Sequence, residues 1–272
     1  MTIKSSLTWA EERLTKSCNR PRFEAELLLA YFLKKDRTYL HAFDNREVEH
    51  IDEFEKLVER RANYEPYEYI IGSVSFYDIT LEVEKGVLIP RPETEILINL
   101  VSNIIEKEDI TYIAEIGVGS GAISVVLARK FPNLKIVATD ISKVAISVAK
   151  KNIEHFKLED RVKIIESNLI DEVKEPIELV VSNPPYIANG FKLEPNVANY
   201  EPKEALFGGE VGDELLKNIV LSVKNRGIKH LACEMGYDQK ESMAHFFDKI
   251  GLQSYQFYKD LSGLDRGFII YI

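Results

Sequence analysis

Cysteine, long apolar runs and positive charge are all scarce in this sequence. The two cysteines, Cys18 and Cys233, stand far apart without the Cys-x-x-Cys or Cys/His spacing of a disulfide framework or zinc site, so we expect no bound metal. No apolar run could span a bilayer and residues 1–12 lack the core of a signal peptide, which predicts a cytoplasmic protein without a membrane partner. Acidic residues outnumber Lys and Arg by 44 to 35, for a net charge of −9, which argues against a nucleic-acid partner and favours a protein.

The length of 272 residues and the apolar pattern predict two domains joined by a linker. Residues 1–66 carry apolar side chains at helical spacing and predict a small helical domain, in which one helix begins at Pro21. Residues 67–89 switch toward a period of two, punctuated by Gly72 and Gly86, and predict a β-hairpin linker. Residues 90–272 open with an amphipathic helix and predict the larger, catalytic domain.

Short apolar runs alternate with helical patterns from residue 111 onwards, which predicts an α/β fold with a mostly parallel sheet covered by helices. Strands are predicted at 112–116, 135–139, 162–166, 178–182 and 230–234. Two closing strands, 254–258 and 267–271, have no helix between them and are predicted to be antiparallel neighbours at one edge.

A glycine-rich turn follows the first of these strands. Glycines allow a tight turn and the close approach of a ligand to the backbone. The pattern Glu-x-Gly-x-Gly-x-Gly is more similar to motif I of methyltransferases, which use S-adenosylmethionine, than to the dinucleotide fingerprint, although the turn alone does not exclude NAD. The candidate cofactor-binding residues of the turn are Glu115, Gly117, Val118, Gly119, Ser120 and Gly121.

Two further strand ends supply candidate cofactor ligands. Asp140, with Ile141 beside it, ends the second strand, where a carboxylate can accept hydrogen bonds from both ribose hydroxyls; capping of the helix that begins near Ser142 is the alternative. Asn168 ends the third strand, and its side-chain oxygen can accept a hydrogen bond from an adenine amino group. Leu169 offers a backbone N–H or an apolar contact to the same base, and a surface turn is the alternative for this pair.

The fourth strand leads directly into Asn183-Pro184-Pro185-Tyr186, the candidate catalytic residues. A target –NH2 on a planar group needs two acceptors, which the Asn183 side-chain oxygen and the Pro184 carbonyl can provide at the cofactor-binding edge. The prolines stiffen the loop, and Tyr186 can stack on the planar group. No His, Asp or Glu adjoins the motif, so positioning and electrostatics are expected to carry the rate. A simple turn is the alternative.

These residues resemble the release-factor glutamine-N5 methyltransferases, the PrmC/HemK family. The resemblance covers nearly the whole chain. Besides the two motifs above, it rests on Leu-Ile-Pro-Arg-Pro-Glu-Thr-Glu at 88–95, on Tyr-Glu-Pro and Ala-Leu-Phe-Gly-Gly within 200–209, and on Tyr-Lys-Asp-Leu-Ser-Gly and Asp-Arg within 258–266. Asn168 stands where the family usually has aspartate, and Glu65 precedes Pro66 where glycine is common.

The resemblance implies a class I S-adenosylmethionine-dependent methyltransferase: a seven-stranded, mostly parallel sheet with the last strand antiparallel, and a small N-terminal helical domain. It implies transfer of methyl to the side-chain amide nitrogen (N5) of the glutamine in the Gly-Gly-Gln motif of class I peptide chain release factors. The helical domain is then expected to help dock that partner. Arg91 and Glu93 either shape the entrance of the site or cap the following helix.

Two other functions fit parts of the pattern. A nucleic-acid methyltransferase would act on the exocyclic amine of adenine (N6) or guanine (N2), which presents the same planar –NH2 once the base is flipped out. Such an enzyme needs a basic channel, and no Lys/Arg cluster surrounds Asn183 in the sequence. A non-catalytic module that binds S-adenosylmethionine or associates with the ribosome would explain the glycine turn but leaves Asn-Pro-Pro-Tyr without a task.

Overall fold

The computed structural model describes residues 1–272 and divides into two compact units. The first unit comprises Met1–Ser73 and Leu193–Tyr200, and the second comprises Val74–Lys192 and Glu201–Ile272. The domain boundaries placed after residues 66 and 89 stay predictions. None of the helices has the length and apolar character needed to cross a membrane.

The first unit is helical. Its longer segment contains α1 (Ile3–Leu14), α2 (Pro21–Leu33), α3 (Arg37–Ala42), α4 (Ile51–Ala62) and α5 (Tyr67–Ile71). The hydroxyl of Thr2 caps α1 by accepting the N–H of Ser5 at 3.2 Å, and Pro21 occupies the first turn of α2, as predicted. The apolar faces meet in one core that includes Leu7, Leu28, Leu29, Phe54 and Val58.

Residues 67–89 contain both helix and strand. After α5, strands β1 (Ser73–Phe76) and β2 (Ile79–Glu82) pair as a two-stranded sheet. Gly72 ends α5 with a φ of +77°, a left-handed conformation that L side chains rarely adopt. A glycine is therefore needed where the helix gives way to the hairpin.

A seven-stranded sheet forms the centre of the second unit, in the order β10-β11-β9-β6-β3-β4-β5. The strands are β3 (Tyr112–Ile116), β4 (Lys135–Asp140), β5 (Val162–Glu166), β6 (Leu179–Ser182), β7 (Ile187–Ala188), β8 (Phe207–Gly209), β9 (His230–Glu234), β10 (Tyr255–Lys259) and β11 (Asp265–Tyr271), of which β7 and β8 form a separate pair. β11 runs antiparallel to both of its neighbours, β10 and β9, and all other neighbouring strands of the large sheet are parallel. The predicted fold class is confirmed, and each predicted strand lies within two residues of an observed one.

Helices cover both faces of this sheet. They are α6 (Thr94–Glu108), α7 (Ala122–Lys130), α8 (Lys143–His155), α10 (Glu214–Asn225) and α11 (Lys240–Lys249), while the short α9 (Pro195–Ala198) belongs to the first unit. Successive residues of β6 point to opposite faces: Leu179 and Val181 join the core under α6 and α7, and Val180 joins the core under α10 and α11. The strand is apolar on both faces, as a central parallel strand must be.

The strand order places a ligand site at one edge of the sheet. Strands β3, β4 and β5 follow one another on one side, and the chain then returns to place β6 on the other side of β3. Open α/β sheets bind ligands beyond the carboxyl ends of the strands at such a reversal. The glycine turn follows β3 at this edge, Asp140 ends β4, and Asn183 follows β6.

Candidate active site

Three glycines shape the turn between β3 and α7. Gly117, Gly119 and Gly121 have φ angles of +77°, +53° and +84°, in the region where an L side chain is strained. The N–H groups of Gly117 and Val118 both donate to the carbonyl of Thr139 at 2.9 Å. The turn is therefore held against the end of β4.

Asp140 accepts two backbone N–H groups at the end of β4. Gly119 donates to Oδ2 at 3.0 Å and Ser142 donates to Oδ1 at 2.9 Å. The helix α8 is capped by the Ser142 hydroxyl, which accepts the N–H of Ala145 at 3.3 Å, so Asp140 is not the N-cap residue of α8. A carboxylate has about four lone-pair sites, and those left over can accept hydroxyl groups of a ligand.

A cavity of about 820 Å³, measured out to its open mouth, lies at this edge. Glycine and apolar residues form most of its wall, as is usual for small-molecule sites. Nine predicted site residues line it: Gly117, Gly119, Asp140, Ile141, Asn168, Leu169, Asn183, Pro184 and Pro185. Unpredicted wall residues include Val87, Leu88, Pro202, Ala205 and Leu215.

Three predicted residues of the glycine turn lie behind the cavity wall. Val118 packs beneath the turn with Ala138 and Ala149, and the carbonyl of Ser120 accepts a hydrogen bond from the side chain of Asn152 at 2.8 Å. Gly121 begins α7. These residues support the turn, and their direct binding of cofactor stays a prediction.

Glu115 is fully buried below the same turn. The hydroxyl of Ser124, on α7, donates to its carboxyl group. Burial raises the pKa of Glu115 to about 8, with a smaller contribution from the charge of Asp140, while the bonds from Ser124 act in the opposite direction. The carboxyl group is thus mostly protonated at neutral pH and ties β3 to α7. Its role as a cofactor ligand stays a prediction.

The segment after β5 also reaches the cavity. The carbonyl of Asn168 accepts the N–H of Asp171 at 3.1 Å, so a turn does form here. Leu169 has a φ of +48°, which is uncommon for a residue other than glycine. The side-chain amide of Asn168 makes no hydrogen bond within the chain, which leaves it available to a ligand.

A hydrogen bond from its side-chain amide fixes the orientation of Asn183. Its Nδ2 donates to Thr94 Oγ1 at 2.9 Å, and that hydroxyl donates to Glu234 Oε2 at 2.6 Å. Neither Asn183 Oδ1 nor the carbonyl of Pro184 accepts a hydrogen bond within the chain. Two acceptors are therefore open beside the cavity.

Tyr186 follows the two prolines and lies outside the cavity wall, half-buried against the core under α10 and α11. The Arg266 guanidinium lies close to its hydroxyl, and Gln239 Nε2 donates to the Tyr186 carbonyl at 2.8 Å. Burial, followed by the charge of Glu234, raises the pKa of Tyr186, so the phenol stays neutral. The stacking role of this ring stays a prediction.

The chain matches two family models and many curated relatives. Residues 5–72 match the model of the PrmC N-terminal domain, and residues 93–201 match that of the Methyltransferase small domain. The release factor glutamine methyltransferase of Dictyoglomus turgidum is 37% identical over 267 residues, which cover 94% of each chain. The enzyme of the same name from Clostridium botulinum is 36% identical over 90% of each chain.

The chain belongs to the release factor glutamine methyltransferase family. The predicted family and enzyme class are thereby confirmed: the protein is a methyltransferase, and S-adenosylmethionine is its methyl donor. The catalytic domain of hMettl16, solved in complex with the MAT2A 3′UTR hairpin 6, has a TM-score of 0.59 over 70% of this chain and 74% of that one. At 17% identity this likeness shows the methyltransferase fold alone.

In this methyltransferase, Arg91 anchors the segment that precedes α6. Its guanidinium contacts the buried carboxylate of Glu201 at 2.5 Å, and the N–H of Ile89 donates to the same carboxylate at 3.3 Å. Glu93 is the N-cap residue of α6, but its side chain makes no capping hydrogen bond. Neither Arg91 nor Glu93 lines the cavity.

Sequence reasoning missed the residues that hold the methyltransferase motif in place. Thr94, Glu234, Gln239 and Arg266 all contact Asn-Pro-Pro-Tyr or its partners, yet none is near it in sequence. Their positions were the only indication: Thr94 lies within the Leu-Ile-Pro-Arg-Pro-Glu-Thr-Glu segment at 88–95, and Glu234 ends a predicted strand at the ligand edge. These positions indicated that both residues lie near the site, but they did not indicate which residues Thr94 and Glu234 contact.

Proposed function

We propose that this methyltransferase transfers a methyl group from S-adenosylmethionine to the side-chain amide nitrogen (N5) of the glutamine in the Gly-Gly-Gln motif of class I peptide chain release factors. The observation that carries the proposal is the pair of open acceptors, Asn183 Oδ1 and the Pro184 carbonyl, beside the cavity. A primary amide has two N–H hydrogens on one planar nitrogen and needs two such oxygens. Two relatives of this chain are named release factor glutamine methyltransferase.

The chain's own residues bind and orient the amide. Its nitrogen is a poor nucleophile because its lone pair is delocalised into the carbonyl, and two accepted hydrogen bonds raise the electron density on nitrogen. S-adenosylmethionine, when bound, supplies an electrophilic methyl group. Pro184 and Pro185 restrict the loop, so little entropy is lost in presenting the acceptors. The buried carboxyl group of Glu234 accepts a hydrogen bond from Thr94, the partner of Asn183, which favours positioning over base catalysis.

The cavity residues suit the cofactor. Asp140 offers its remaining lone pairs to the ribose hydroxyls, and Asn168 with Leu169 would contact the adenine. The turn at Gly117 and Gly119 allows close approach of the ligand to the backbone. Glu115, Val118, Ser120 and Gly121 would act from behind the wall, by fixing that turn.

A protein partner fits the charge of the chain. A net charge of −9 disfavours a phosphate backbone, and residues 5–72 match the PrmC N-terminal domain, which would help to dock the release factor. Release factors act where translation occurs, so the enzyme is expected in the cytoplasm.

Transfer of labelled methyl to purified class I release factor tests the proposal, with mass spectrometry to locate the label. Wild-type enzyme should methylate the Gly-Gly-Gln glutamine once, and a release factor with alanine at that glutamine should take up no label.

Asn183→Ala should lower kcat about 10²- to 10³-fold, by analogy with loss of one transition-state hydrogen bond, while cofactor still binds. The matched control is Asn189→Ala, an exposed asparagine paired with Glu210. Label in RNA and none in the release factor would overturn the proposal.

A further inference from the structure

Three structural elements converge behind Asn183. Thr94 begins α6, Asn183 follows β6, and Glu234 ends β9. Thr94 and Glu234 are 4% and 1% exposed, so water cannot substitute for either partner. The hydrogen bonds run from Asn183 Nδ2 to Thr94 Oγ1 at 2.9 Å and from Thr94 Oγ1 to Glu234 Oε2 at 2.6 Å.

The direction of this chain of bonds is set at its buried end. An ionised carboxylate only accepts hydrogen bonds, so the single hydroxyl proton of Thr94 must point to Glu234. The hydroxyl then has only lone pairs to offer Asn183, and only the –NH2 half of the amide can bond to them. Oxygen and –NH2 are nearly the same size, so hydrogen bonding and not shape decides which of the two faces the cavity side.

We propose that Thr94 and Glu234 are positioning residues that hold the Asn183 amide with Oδ1 toward the methyl acceptor. The inference rests on the proposed function, since it assigns the partners that orient its acceptor oxygen. With the amide reversed, Asn183 would present –NH2 to the substrate –NH2. Two donors would then face each other and one of the two required acceptors would be lost.

The ionisation of Glu234 gives this arrangement a pH dependence. Burial raises the pKa of Glu234 to about 7, and Glu93 adds to that, while the Thr94 hydrogen bond and the Arg266 guanidinium lower it. The other titratable groups that feel this carboxyl group are Tyr186, Tyr258 and Cys233, whose pKa values are raised first by burial and then by its charge. All three are protonated at neutral pH. Below about 7 a protonated Glu234 can donate to Thr94, and the direction of the bonds is no longer fixed.

The first test compares Thr94→Val, which keeps the shape but removes the hydroxyl, with Thr94→Ser, which keeps it. Methyl transfer to intact release factor should show kcat about 10- to 100-fold lower in Thr94→Val, as expected for a misplaced acceptor, with KM for the release factor and the cofactor dissociation constant within about twofold. Thr94→Ser should recover most of kcat. Ser102→Ala, which removes a buried hydroxyl without a partner from the same helix, should match wild type.

Glu234→Gln provides a second test that keeps side-chain size. Its amide can either accept from or donate to Thr94, so both orientations of Asn183 are populated and kcat should fall several-fold. In wild type kcat should decline as pH falls through about 7, and in Glu234→Gln this decline should disappear. A folded Thr94→Val enzyme with wild-type kcat, or an unchanged acid limb in Glu234→Gln, overturns the inference. A wild-type enzyme that leaves release factor unlabelled overturns the proposed function instead.

Discussion

Asp140 and Glu115 are both acidic residues of the cofactor edge, yet they are placed for different tasks. Asp140 lines the cavity and accepts the N–H groups of Gly119 and Ser142, and its carboxylate retains lone pairs that neither bond uses. Glu115 lies behind the wall, bonded to Ser124 and buried. Asp140 lines the cavity and Glu115 does not, because β4 ends at the cavity whereas Glu115 precedes the end of β3.

Replacing Asp140 by alanine should therefore weaken cofactor binding. A hydrogen bond to a charged group contributes about 1.5–3 kcal/mol, which corresponds to a loss of about 10- to 100-fold in affinity. The variant also leaves the amides of Gly119 and Ser142 without their acceptor. Asp78→Ala is the control, because it removes an equal charge from an exposed carboxylate paired with Arg129. Calorimetric titration with S-adenosylmethionine measures both, and wild-type affinity in Asp140→Ala would refute the assignment.

At the scale of elements, the fold was largely predictable from the sequence. Strand β6 is apolar on both faces, and similar short apolar runs alternate with helical patterns along the chain. The period of each segment therefore predicted whether it forms a strand or a helix. The partners of the catalytic loop were not predictable. Asn183 and Thr94 are 89 residues apart, and Thr94 and Glu234 are 140 apart, so only the folded sheet reveals that they meet.

Strand β8 shows how tightly neighbouring elements enclose that loop. A Cβ atom at Gly208 would meet the carbonyl oxygens of Gly212 and Pro185 and lie 3.0 Å from the Cα of Tyr186. All three are backbone atoms, which cannot move aside without shifting the Asn-Pro-Pro-Tyr loop. The Ala-Leu-Phe-Gly-Gly segment therefore requires glycine at this position for reasons of space.

Gly208→Ala should accordingly impair both stability and catalysis. Overpacking of this kind costs about 1–3 kcal/mol, and the shifted loop should lower kcat more than it changes cofactor affinity. Gly190→Ala is the control: its Cβ meets open space, so only left-handed strain of about 1 kcal/mol is expected, without an effect on kcat. Urea unfolding and methyl-transfer kinetics separate the two effects. Wild-type kcat in Gly208→Ala would show that the loop does not depend on this contact.

On the scale of the whole molecule, the second unit buries two carboxyl groups at the ends of its strands. Burial raises the pKa of Glu115 from 4.5 to about 8 and that of Glu234 from 4.5 to about 7. In the unfolded chain both groups regain their ordinary values. Between pH 4.5 and the raised values the folded chain keeps protons that the unfolded chain releases. Unfolding is then favoured by rising pH, so this contribution to stability is present in acid and is lost toward pH 8.

The free energy of unfolding should therefore fall as pH rises from about 5 to about 8, by up to about 1.4 kcal/mol per pH unit for each carboxyl group. Glu115→Gln should flatten the slope, whereas the exposed Glu159→Gln should keep the wild-type slope. Urea unfolding should be followed by far-ultraviolet circular dichroism. The fluorescence of the single tryptophan, Trp9, would report on the first unit, whereas Glu115 and Glu234 lie in the second. A slope equal in wild type and Glu115→Gln would mean that this carboxyl group does not bind its proton more tightly in the folded state.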